Sequence, residues 1–187
     1  MDYKEMSWLI ARYIFLVVLA LSDLYLIYLV FTPLTLYSVS FILSLFYENL
    51  NLLNGTSTIF IDGDYINIIE ACIAGSAYFL LLILNLSVPM EIKKRIKSIS
   101  FTISSFFLLN VLRIVIFSVL FVQGYQYFDI AHKFIWYFGS TILIVIIWFL
   151  NVYLFKIKEI PVYSDIKEIF SDIVKNTKNF KGNSPAN

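Results

Sequence analysis

The chain has 187 residues, of which 60% are hydrophobic and only 14% charged, and its formal net charge is +1. A soluble domain of this length cannot hide that much apolar surface, whereas lipid accepts it, and a near-neutral balance argues against nucleic acid, since phosphate binding needs a basic face. A single cysteine excludes an internal disulfide, a CxxC redox pair and a cysteine-rich zinc site.

In chain order, Trp8 to Phe31 is a first apolar run of spanning length, closed by Thr32-Pro33. It is too long for the apolar core of a signal peptide and lacks a small-residue cleavage site, so it reads as a retained span. Leu34 to Leu53 is weaker, diluted by Thr35, Ser38, Ser40, Ser44, Glu48, Asn49 and Asn51, and reads as an interfacial or fifth spanning helix. Thr58–Ile61 and Tyr65–Ile69 flank Asp62-Gly63 and predict a β-hairpin, which must lie outside the hydrocarbon. Ala71 to Val88 is a second clear span, stopped by Pro89, and the following loop holds Lys93, Lys94, Arg95 and Lys97. Phe101–Val122 is a third span, Gln123–Ala131 a polar connection, and Lys133–Phe155 a fourth span with Trp136, Tyr137 and Trp148 suited to the interfaces. The fold class is therefore an all-α polytopic membrane protein: about four spans, one further helix and a small extracytoplasmic hairpin.

Residues 1–155 form the membrane domain and 156–187 a cytoplasmic tail. There Ile166, Ile169, Phe170, Ile173 and Val174 predict a short amphipathic helix on the membrane surface. Lysine and arginine bias places the loop around Lys94 in the cytoplasm, with Lys156 and Lys158, and so the hairpin and Asp129 outside. If Leu34–Leu53 lies in the outer interface the N terminus is inside, the arrangement that suits Lys4 and Arg12; if it spans, the N terminus is outside.

Helix rise converts this topology into depth at ~1.5 Å per residue. Cys72 lies ~27 Å above the inner boundary of a ~30 Å core and Arg113 ~22 Å above it, with a side chain long enough to snorkel outward. His132 reaches the outer interface. Taken singly, Cys72 reads as a packing residue and His132 as incidental interface polarity. Arg113 differs, because a central arginine costs roughly 2.5–3.5 kcal/mol even on the mild insertion scale. All three at one level have a coherent chemistry. Cys72 opens its helix, where exposed amides and a cation favour the thiolate. His132 takes the thiol proton and returns it to a leaving amine, and Arg113 stabilises an oxyanion. Asn110 and Asp129 each sit three residues before a member of the set, and either is a candidate orienter, though loop polarity explains Asp129 equally well. Asp23, the one carboxylate in the first span, lies at nearly the depth of Arg113 and either pairs with it or stays protonated. One histidine and no acidic cluster on a single face argue against a metal, and no cofactor is expected.

Glu70-Ala71-Cys72-Ile73-Ala74-Gly75 after a hairpin, Asn110-Val111-Leu112-Arg113 on the next helix and Ala131-His132 opening the one after form an ordered set. Over roughly Phe31 to Leu150 this set resembles the exosortases and archaeosortases. The bacterial exosortase pattern has Ser-Gly directly after the cysteine and extra N-terminal helices, so the resemblance is to a compact, archaeosortase-like branch. It implies a plasma-membrane cysteine transpeptidase. Such an enzyme cleaves a C-terminal sorting signal of secreted surface proteins (a motif, a transmembrane helix and a basic end) and passes the acyl group to an amine on a membrane lipid. Two other readings stay open: a non-enzymatic partner-binding membrane subunit, and a hydrolase with water as acceptor.

Overall fold

The structure is a computed structural model that describes residues 3–157 apart from 23, 54 and 89. Asp23 and the tail helix around Ile166–Val174 lie outside the described residues. The apolar N-terminal third does not form one helix to Phe31 and a second from Leu34. It forms α1 (Tyr3–Leu21) and α2 (Tyr25–Leu43), with the break marked by Leu24 in the left-handed region at φ 59°. Ser22-Asp23, residue types that start helices, is the local signal for that break. Pro33 lies inside α2 on an exposed face instead of ending a span. Proline removes one amide donor, a loss that helices in apolar surroundings tolerate when neighbours compensate.

Residues 34–53 are thus divided between the second half of α2, a turn, and strand β1 (Leu50–Leu52). β2 (Thr58–Ile61) and β3 (Asp64–Asn67) form the expected hairpin. Asp62 and Gly63 both have positive φ, 47° and 105°, the backbone a two-residue turn between twisted strands needs. β1 adds antiparallel to β2, so the hairpin is part of a three-stranded sheet in the order β1-β2-β3.

The expected span from Ala71 to Val88 is also broken. Glu70–Ile73 is a single helical turn, α3, and Gly75–Ser87 is α4, with Ala74 between them at φ 60° and ψ 48°. A Cβ at Gly75 would stand 2.6 Å from Cζ of Tyr28, so the absent side chain lets α4 approach α2 at that point. Gly75→Val is expected to cost about 1–3 kcal/mol by overpacking, read as an earlier thermal transition in detergent. Tyr28→Ala should relieve most of that loss.

α5 (Ile92–Val122) is 31 residues long and already includes the basic cluster assigned to a loop. Within it Arg95 is 5% exposed, and its Nη2 donates to the carbonyls of Val88 (2.9 Å) and Met90 (3.5 Å), so it closes the end of α4. The last segment begins earlier than expected: α6 (Phe128–Phe134), a π-helical turn (Ile135–Gly139) and α7 (Ser140–Leu154).

Among the described residues, four segments are long and apolar enough to cross a membrane: Tyr25–Leu43, Glu70–Ser87, Ile92–Val122 and Phe128–Leu154. Lys94 Nζ donates to the carbonyl of Lys156 at 3.5 Å, which puts the α4–α5 turn and the end of α7 at the same end of the bundle. Ile59, Ile61 and Ile68 pack with Leu36, Val39, Leu43, Val111 and Val115, with Val119 and Val122 beside them, so the sheet caps the opposite end. Below it, Tyr78 stacks on Phe31 at 3.9 Å and meets Phe106 edge-on at 4.8 Å.

Toward the basic end, Asn85, Ser98, Thr102 and Asn151 are completely buried. The Ser98 hydroxyl lies between the side-chain oxygens of Asn85 and Asn151, and Asn85 Nδ2 donates to Thr102 Oγ1 at 3.2 Å. These bonds join α4, α5 and α7 across an otherwise apolar interior, where polar side chains act as adhesive between helices.

Candidate functional site

Cys72, Arg113 and His132 line one cavity of about 240 Å³ at the sheet end of the bundle. Its walls are β3 with Ile68, the short helix α3, the outer part of α5 and the start of α6. Three separate segments thus deliver the thiol, the guanidinium and the imidazole to a common space.

Cys72 is half-buried and its thiol is free. It does not open a long helix: it is the third residue of a one-turn helix, and its amide already donates to the carbonyl of Ile69 at 2.8 Å. The helix start that the sequence suggested at Cys72 is therefore not formed. The backbone here is gripped from α5. Asn110 Nδ2 donates to the carbonyls of Cys72 (3.0 Å) and Ile73 (3.4 Å), and Arg113 Nη2 donates to the same Cys72 carbonyl at 3.3 Å. Asn110 is 1% exposed, so these bonds form in an apolar interior, where they are stronger than in water. One turn of α5 separates the two residues, and together they fix the position of the Cys72 main chain. Asn110 acts on Cys72, sharing its target with Arg113.

Arg113 also donates through Nη1 to Ser140 Oγ. Its planar fork spans two elements, with the remaining N–H donors still available to a substrate oxygen. Ser140 follows the π-helical turn, a local widening that often marks functional sites. Its signal in the sequence is slight: Gly139-Ser140 is a small pair directly after the aromatic-rich run from Phe134 to Phe138.

His132 lies between two phenyl rings, stacked on Phe128 (5.3 Å, 18° between planes) and tilted against Phe117 at 5.1 Å. Asp129 is exposed and makes no hydrogen bond to His132 among the described residues. The contacts on the imidazole are an aromatic clamp, and of the two readings of Asp129 the hydrogen-bonded orienter is not formed here. Through-space charge still reaches the imidazole from both Arg113 and Asp129. The described His, Cys, Asp and Glu residues do not gather in threes, so none of them makes up a metal-ligand set.

Arg113 and Phe117 also face a second, apolar groove of about 570 Å³ between α5 and the α6–α7 segment. Phe117 is 9% exposed and stands between this groove and the cavity. Comparison with family models, with curated proteins and with solved structures finds no match to this chain.

Proposed function

We propose that this is a multi-pass plasma-membrane cysteine transpeptidase of exosortase/archaeosortase type, acting on the extracytoplasmic side. The observation that carries the reading is the convergence of Cys72, Arg113 and His132 on one cavity. Lys93, Lys94, Lys97 and Lys156 gather at the other end of the bundle, and positive-inside bias assigns that end to the cytoplasm.

In this mechanism the Cys72 sulfur attacks the carbonyl carbon of a substrate peptide bond. His132 takes the thiol proton as the C–S bond forms, and the free donors of Arg113 hold the developing oxyanion. The tetrahedral intermediate collapses with cleavage of the C–N bond, and His132 returns the proton to the leaving amine. The acyl-enzyme thioester is then attacked by a lipid amine, which forms an amide and restores the thiol. The leaving fragment is a C-terminal transmembrane helix with a basic end. The apolar groove beside Arg113 suits the outer part of that helix.

The reading is tested by mass spectrometry of exported proteins from cells that make this chain. Mature chains should lack a C-terminal helix and end in an amide to a lipid amine. Free carboxylates at the same cut would make it a hydrolase, and intact C-terminal helices throughout would leave only the partner-binding subunit. The base assignment has its own check. A base must be neutral to accept the proton, so activity should rise with pH through the histidine titration range, and His132→Ala should be slower by about 10²–10⁴. Undiminished activity in His132→Arg would show that the position supplies a cation and no base.

A further inference from the structure

Four consecutive residues, Tyr65, Ile66, Asn67 and Ile68, line the cavity that holds Cys72. Successive side chains of a strand point to opposite faces, so one face cannot bring all four to a common space. The edge of the strand can. β3 is an edge strand, paired on one side only with β2.

The register identifies which main-chain groups that edge offers. Ile61↔Asp64 flanks the two-residue turn, Ile59↔Ile66 lies two positions on, and the Ile68 amide donates to the Ser57 carbonyl at 2.8 Å. Antiparallel pairs alternate between hydrogen-bonded and non-bonded, so Asp64, Ile66 and Ile68 turn their amides and carbonyls toward β2. Tyr65 and Asn67 turn theirs outward. Both residues are exposed, and neither makes a main-chain hydrogen bond outside the sheet among the described residues. An unpaired strand edge is a template for another strand, and this one ends five residues before the nucleophile.

We propose that the free edge of β3 docks an extended peptide segment of the substrate, which adds as a fourth strand and bonds to the main chain of Tyr65 and Asn67. The segment is thereby led toward Cys72. This deepens the cysteine-transpeptidase reading and rests on it. Main-chain pairing supplies affinity without demanding a sequence, so the edge sets conformation, and the cavity beyond it sets which side chains fit.

The test uses the full chain in detergent and follows alkylation of Cys72 by mass spectrometry. The probes are acetyl-Ala-Ala-Ala chloromethyl ketone, the same compound with N-methylated internal amides, and iodoacetamide as a reagent too small to pair. In the wild type, N-methylation should slow the peptide probe about tenfold relative to iodoacetamide, the worth of one or two main-chain bonds. Asn67→Pro should produce a similar fall with the unmethylated probe. Proline there removes only an outward-facing donor, and edge strands tolerate it. Equal rates for the methylated and unmethylated probes, with Cys72 still open to iodoacetamide, would overturn the docking edge alone. A Cys72 that resists every reagent would overturn the cysteine chemistry beneath it. If Asn67→Pro turns a dimer into a monomer while the probe ratio holds, the edge binds a second copy of this chain and the proposal fails.

Discussion

Cys72→Ala and Cys72→Ser are expected to abolish processing, with a fall of at least ~10³ in rate, while the protein inserts and folds normally. Normal folding is expected because α5 holds the carbonyl of Cys72 and not its sulfur. Either substitution keeps the peptide group that Asn110 and Arg113 grip. The thiol is half-buried, and exchanging it for a methyl or hydroxyl group leaves little empty space. Serine is the more instructive change. It preserves shape and a proton for His132 but replaces sulfur with a far weaker nucleophile. The measurement is the fraction of exported chains that lose their C-terminal helix. Continued loss in Cys72→Ala would remove the cysteine mechanism and return the chain to a partner-binding role.

Arg113→Lys should be almost as damaging, at about 10²–10³ in rate, although it keeps the positive charge. The guanidinium reaches Ser140 Oγ through one nitrogen and the Cys72 carbonyl through the other. A lysine ammonium is a single point on a flexible stem and cannot span both while also facing a substrate oxygen. The loss should fall on kcat more than on KM, because the oxyanion exists only in the transition state. Ser140→Ala removes one anchor and keeps the fork, so a smaller loss in the same direction is expected. Wild-type rates in Arg113→Lys would reduce Arg113 to a structural tie between α5 and α7.

The elements legible from the sequence are those that hydropathy and turn chemistry specify. The apolar runs located three of the long segments, those from Glu70, Ile92 and Phe128, but misdivided the N-terminal third, where Tyr25–Leu43 crosses the expected boundary at Thr32-Pro33; Asp62-Gly63 located the hairpin. What escaped were breaks and continuations that side-chain type does not announce. Ala74 is a good helix former by propensity, yet it takes a left-handed conformation where Gly75 is pressed on Tyr28, a tertiary effect that overrides local preference. The charges from Lys93 to Lys97 end a hydropathy window but not a helix, since lysine and arginine are themselves strong helix formers. β1 is only Leu-Asn-Leu, without a β-branched residue, and is a strand because β2 offers it an edge.

At the site, helix-rise arithmetic put Cys72, Arg113 and His132 at one level because such a count depends only on topology, and the three line one cavity in the structure. Lateral neighbours depend on helix rotation, which a count does not carry. That is why Asp129, chosen by its i, i+3 spacing, makes no hydrogen bond to His132 among the described residues while Phe117 and Phe128 hold the imidazole. Ser140 owes its contact with Arg113 to the π-helical turn before it, and the interior cluster of Asn85, Ser98 and Asn151 to pairing across three helices. Neither has a periodic signature.

The central claim is that Cys72 carries an acyl group from a cleaved polypeptide, and a thioester has a specific chemical test. Membranes containing the full chain are treated with hydroxylamine at neutral pH, which splits a thioester and leaves a hydroxamate on the released acyl group. Mass spectrometry should find exported proteins that end in a C-terminal hydroxamate at one shared cut before a missing apolar helix. The product should vanish in Cys72→Ala and be matched by a freed thiol at Cys72 in the wild type. An equal yield of hydroxamates from Cys72→Ala membranes, or none from wild-type membranes in which those helices are nonetheless being removed, would contradict covalent catalysis at this residue.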